Sequence, residues 1–324
     1  MSINYKPEMS VAATLLGGVI QGNVFFVHPY LGSDGNTGTD MDNPVKTILA
    51  AFNKTVSGNG DVVFLMSNTN TSSATTSYLS EKLTWDHDNT HLIGLGAKSL
   101  NPRARIAQLS TATAVDGLLT VSGSGCTFAN FSLYQGVDDA TSMNALTVTG
   151  QRNNFVDVHV KGLSHATMCA TASSPVMTMT GAGENLFQHC TIGETTIQPT
   201  AAVFGLNMTA DCMNNVFEDC LFVVSTAAAG YEFVHIANDG LLCYTLFKRC
   251  SFINAPDSAG GLTTITSAFT SGKNLADYDG QVVLQDCYLT NASQIGSGTA
   301  YTGAGHSSGT YGDAAAMFLC ENPT

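Results

Sequence analysis

The chain has 324 residues and a net charge of −13, with 25 acidic residues against 12 Lys and Arg, and no basic run. That balance excludes a phosphate-neutralising nucleic-acid surface. The lack of any long apolar run argues against a membrane span, and a hydrophobic content of 44 % is too high for a disordered chain. Charged residues are only 11 %, against about 25 % in ordinary domains, and small polar residues fill the gap. Such a composition suits short strands and tight turns. The nine cysteines form no Cys-x-x-Cys pair, so neither a disulfide framework nor a zinc site is predicted.

In chain order, residues 1–21 are predicted as a short helix, with Pro7 in its first turn and Gly17-Gly18 at its end. The apolar stretch Val11 to Ile20 follows Lys6 and Glu8 rather than a basic cluster. It is therefore read as structure and not as a secretion signal. The Asn-x-Ser/Thr triplets at Asn53, Asn70, Asn130, Asn207 and Asn291 are then chance matches. Next come a strand at Val24 to Val27, a Gly/Asp/Asn loop, and a helix from Pro44 to about Thr55 with Ile48, Leu49 and Phe52 on one face. Residues 1–60 are expected to form an N-terminal cap, and 61–295 a stack of coils opening with Asp61 to Leu65 and His91 to Gly96.

The coils are announced by a repeat. Cys126-Thr-Phe128-Ala-Asn130-Phe131 returns as Asn154-Phe155-Val-Asp157-Val158 and as Leu186-Phe187-Gln-His189-Cys190. Val216-Phe217-Glu218-Asp219-Cys220, Leu246-Phe247-Lys248-Arg249-Cys250 and Val283-Leu284-Gln-Asp286-Cys287 follow, at spacings of 27 to 37 residues. A second unit of alternating type precedes most copies: Leu119-Thr-Val121, Leu146-Thr-Val148, Met177-Thr-Met179, Leu206-Asn-Met208. Repeats made of strand and turn bury their apolar face only by stacking, which makes a solenoid with rungs about 4.8 Å apart. Phe128, Phe155, Phe187, Phe217, Phe247 and Leu284 then form one inward ladder. Phe131, Val158, Cys190, Cys220, Cys250 and Cys287 form another, with the cysteines as small buried thiols. Between them run Asn130, Asp157, His189, Asp219, Arg249 and Asp286. Two inward residues three apart cannot share a regular strand, so these are predicted corner positions with left-handed backbone. Longer loops are expected near 67–81, 164–175, 193–202, 223–232 and 255–281. Residues 296–324 are expected to be a C-terminal arm, Gly/Ser/Thr-rich and then apolar from Ala314 to Cys320, docking on the last coil or on a partner.

Three groups could carry chemistry. Glu218, Asp219 and Asp286 with Lys248 and Arg249 hold acid, base and cation on neighbouring coils. The preferred reading is a ladder of opposite charges, Glu218 under Lys248 and Asp219 under Arg249, so no catalytic residue is assigned. Asp34 to Asp42 has oxygen ligands at alternate positions, as in a calcium loop. It lacks an EF-hand's closing Glu, and turn formation explains it. Asp86-His87-Asp88 likewise reads as a polar turn. Tyr231, Tyr278, Tyr301 and Tyr311 are loop aromatics that could stack on sugars if exposed. No cofactor or metal is predicted.

Over roughly residues 22–295 the chain resembles the pectate-lyase-like right-handed parallel β-helix superfamily. The likeness rests on the repeat together with Val24-Phe-Phe-Val27, the loop Gly32 to Gly38 and the segment Asn43-Pro44 to Ala51. It implies one all-β solenoid with short N-terminal capping helices. It leaves function open among polysaccharide lyases, glycoside hydrolases, phage tail spikes and inert structural proteins. Low charge, few convergent acids and the missing leader favour a non-enzymatic bacteriophage virion protein made in the host cytoplasm. A capsid decoration protein, homotrimeric like similar phage β-helices, is expected to contact the major capsid or a tail protein. The alternative is a tail spike or carbohydrate-active enzyme acting on bacterial surface glycans.

Overall fold

The computed structural model describes residues 21–67, 77–78, 82–108, 110–111, 116–141, 144–271, 279–296 and 318–320. From Val62 to Gly296 each coil runs through three parallel sheets, A, B and C, in that order. Sheet A stacks Val24–Val27, Val62–Met66, His91–Leu95, Thr127–Ala129, Asn154–Val156, Leu186–Gln188 and Asn215–Glu218, then the end of Glu232–Lys248, Asp279–Gln285 and Phe318–Cys320. Its first rung, Val24 to Val27, lies within the segment expected to form the cap and pairs residue for residue with Val62 to Leu65. The strand Glu232–Lys248 continues round the bend from sheet C into sheet A. Sheet B runs from Ser77–Tyr78 to Tyr288–Thr290.

Register follows the repeat. Phe128, Phe155, Phe187, Phe217, Phe247 and Leu284 face one another on successive rungs and are all buried. Strand pairing fixes the rise, so the rings stack parallel with centroids 4.9, 4.5, 4.4 and 4.9 Å apart. Trp85 closes the column edge-on against Phe128, and Phe52 packs on Trp85 at 4.6 Å. The helix that carries Phe52 is shorter than expected, Ile48–Phe52. Thr47 caps it, its hydroxyl accepting from Ala50 N–H. Pro44 cannot begin it because its carbonyl accepts from Ser33 N–H and Asn36 Nδ2 across the loop. The helix expected in residues 1–21 lies outside the described residues, as does most of the arm. The described part of the arm, Phe318–Cys320, lies on this chain's own last rung beside Val282 to Leu284.

The corners are left-handed at every predicted position, with φ of 56, 53, 54, 54, 52 and 53° at Asn130, Asp157, His189, Asp219, Arg249 and Asp286. Immediately after each corner a side chain turns back inward. Cys190, Cys220, Cys250 and Cys287 send their S–H to the carbonyls of Phe155, Phe187, Phe217 and Phe247 on the rung below. Eight of the nine cysteines, those from Cys126 to Cys287, are free thiols. An asparagine column at the turn from sheet C to sheet A completes the frame. Asn153, Asn185 and Asn215 are buried. Their Oδ1 atoms accept from the N–H of Cys126, Asn153 and Asn185, and their Nδ2 groups donate to the carbonyls of Gly123, Gly150 and Ala182. Each rung thereby satisfies the turn of the rung before it.

Candidate functional site

The corner between sheets A and B brings the charged candidates together. Because the corner residues are left-handed and in register, their side chains leave the solenoid in one direction, one rung apart. Arg249 donates from Nε and Nη2 to both carboxylate oxygens of Asp219, at 2.8 and 2.7 Å, and from Nη2 to Glu218 at 2.8 Å. Lys248 Nζ lies 3.1 Å from Glu218. These are the expected opposite-sign pairs. Hydrogen bonds from Lys248, and then from Arg249 and Gln188, hold the Glu218 carboxyl below the usual carboxylate range. Arg249 does the same to Asp219, and the two carboxylates raise the Arg249 guanidinium in return. Carboxyls held ionised in this way are poor proton donors. Asp286 is exposed at the next corner, where Arg249 N–H donates to the Gln285 carbonyl.

Toward the N-terminus the same corner borders a groove of about 340 Å³. Lys98, Leu100, Asp157, His159, His189 and Asp219 are among its walls. Lys98 Nζ is 2.5 Å from Asp157, and His189 Nε2 is 3.9 Å from Asp219. Asp157 and Asp219 are two rungs apart, roughly 10 Å along the axis, with His189 on the rung between. His159 lies deeper, with Nε2 facing the Gly193 carbonyl at 2.9 Å. Burial is the main cause that lowers its pKa to about 4, so it is neutral at pH 7. The sequence repeat locates Asp157, His189 and Asp219. It does not locate Lys98, which follows a strand with no copy of the motif and reaches the corner only because the coils stack.

The other sequence candidates serve as turn chemistry. Asp34 accepts from the N–H groups of Lys46 and Thr47, and Asp40 from Asp42. His87 packs on Phe52 and bonds Thr55, while Asp88 accepts from Ser124 N–H. Among the described residues no cluster of His, Cys, Asp and Glu could hold a metal. Tyr231 corrects an expectation: it is not an exposed aromatic but 1 % accessible, edge-on to Phe233 at 5.4 Å. The strand Glu232–Lys248 begins next to it, and the turn draws the ring into the core. Tyr278, Tyr301 and Tyr311 lie outside the described residues.

Three parallel sheets, left-handed corners, and aromatic, thiol and asparagine columns define a right-handed parallel β-helix. No protein-family model matches the sequence, and no curated protein matches it in sequence. Solved structures do match in shape. A rhamnogalacturonan lyase superposes with TM-score 0.61 at 15 % identity, over 85 % of this chain and 70 % of that one. The pectin methylesterase of Aspergillus niger gives TM-score 0.50 at 13 % identity, over 93 % and 84 %. A Geobacillus virus E2 protein, ORF18, gives TM-score 0.43 at 12 % identity, over 89 % and 62 %, a superposition too loose to carry a functional argument. At these identities the likeness is one of fold.

Proposed function

We propose that this chain is a non-enzymatic structural protein of a bacteriophage virion, a capsid decoration protein that coats or stabilises the head. The observation that supports this reading best is the pairing of the corner charges. Where acid, base and cation gather, each carboxylate of Glu218 and Asp219 is held by the next coil's Lys248 or Arg249, as in a frame rather than a proton-transfer centre. Such a decoration protein would act as a homotrimer seated on the major capsid protein or a tail protein. Side-chain-resolution electron microscopy of the assembly tests it. Many symmetric copies on an icosahedral shell are expected, and a free soluble molecule would overturn the reading.

The groove favours a second reading, a protein that binds or cleaves a bacterial surface glycan. His189 stands between two carboxylates beside a lysine, in a cavity with room for a sugar unit. Release of reducing ends from capsular polysaccharide, abolished by His189→Ala and Asp219→Asn, would establish it. No release by the unaltered protein would remove the cleavage reading, and full activity in both variants would move the site away from this groove.

A further inference from the structure

Four thiols stand one above another inside the corner: Cys190, Cys220, Cys250 and Cys287. Backbone register aligns them, since Leu221 N–H donates to the Cys190 carbonyl at 2.8 Å, Ser251 to Cys220 at 2.9 Å and Tyr288 to Cys250 at 2.9 Å. Neighbouring cysteines therefore occupy equivalent positions about 4.8 Å apart, inside the Cα window of roughly 4.4–6.8 Å for a disulfide. Their side chains point the same way, each toward the phenylalanine carbonyl beneath it. The first three are buried, whereas Cys287 is part-exposed. Cys287 also precedes Tyr288–Thr290, the last strand of sheet B among the described residues. Among the described residues this strand pairs on one side only, and an edge strand opens more readily than an interior one.

We propose that Cys250 and Cys287 are an oxidation site whose disulfide locks the last rung of sheet B to the rung below. A small-molecule disulfide supplies the oxidising equivalents. The Cys287 thiolate attacks one of its sulfurs, forming a mixed disulfide and expelling one thiolate. The Cys250 thiolate then attacks Cys287 Sγ, closing the protein disulfide and expelling the second thiolate. The two protons lost by the cysteines end on the two small thiols released, and the small disulfide is reduced by the two electrons the cysteines give up. In-register side chains stand farther apart than the mean Cβ separation of about 3.8 Å in disulfides. The two rungs must draw together, so the bond is easily reduced again. Cys220 stays out of the exchange because it is buried a rung further in, away from the small-molecule disulfide. The inference is independent of whether the chain belongs to a virion.

The folded full-length protein is treated with oxidised glutathione, acid-quenched, denatured, alkylated and mapped by mass spectrometry. Two fewer than the nine cysteines should react, with a Cys250–Cys287 cross-linked peptide that dithiothreitol releases. Amide exchange at Tyr288–Thr290 should slow on oxidation, and Cys287→Ser should lose both effects. Nine reactive cysteines after treatment, a stable glutathione adduct on Cys287, or a cross-link elsewhere, such as at the exposed Cys243, would overturn the proposal.

Discussion

Replacing Phe187 by alanine tests the ladder at its centre. Its ring lies between Phe155 at 4.5 Å and Phe217 at 4.4 Å, nearly parallel to both, and is 2 % accessible. A phenylalanine buries roughly 200 Å², which at about 25 cal/mol per Å² gives ~5 kcal/mol. That agrees with the 3–5 kcal/mol typical of core Phe→Ala changes. Strand pairing holds the rungs apart, so the walls cannot close on the cavity and the upper end of that range is expected. Phe187→Leu keeps most of the apolar area and loses two ring contacts, so it should cost about 1–2 kcal/mol. Urea titrations followed by far-ultraviolet circular dichroism measure both variants. Fluorescence of the single tryptophan, Trp85, buried at the foot of the same column, reports separately on the N-terminal end. A loss under about 2 kcal/mol for Phe187→Ala, or equal losses for alanine and leucine, would refute a ring clamped between two others.

Asn185→Ala removes the acceptor of Asn153 N–H and the donor to the Gly150 carbonyl and Asn215 Oδ1; a destabilisation of about 3 kcal/mol or more is expected in the same titration. At the corner, His189→Val forces a β-branched residue to a φ of 54° and should cost about 1–2 kcal/mol, whereas His189→Gly should be near neutral. Stability should rise with pH between about 4 and 6.5, because burial lowers His91 and His159 to about 4 and the unfolded chain alone binds protons there. His91 stays neutral to accept from Thr127 N–H, and His159→Gln should flatten part of that slope in thermal melts across pH. Glu218 and Asp219, depressed by their basic neighbours, add stability that is present above roughly pH 4, their unfolded range, and is lost as pH falls further. Arg249→Met should weaken that acid limb, and high salt should mimic the variant.

The sequence by itself determined the solenoid. A period near thirty residues, Phe and Cys at fixed offsets, and one unexplained residue between two inward ones leave a stacked coil with a left-handed corner as the arrangement that buries every copy alike. Asn130 through Asp286 show it, since their backbone sign follows from spacing alone. The Asn153, Asn185 and Asn215 column sits one residue before each aromatic unit and was open to the same inspection, but asparagine is common enough here to pass for an ordinary turn residue. Tertiary structure alone decided the rest. Tyr231 is polar at one end and lies in a turn, and only the packing of its neighbouring strand draws it inward. Lys98 belongs to no repeat and meets Asp157 only across stacked coils. The groove belongs to that second kind of information, because its walls come from four rungs, and a periodic sequence specifies what each rung repeats rather than what its irregular turns bring together.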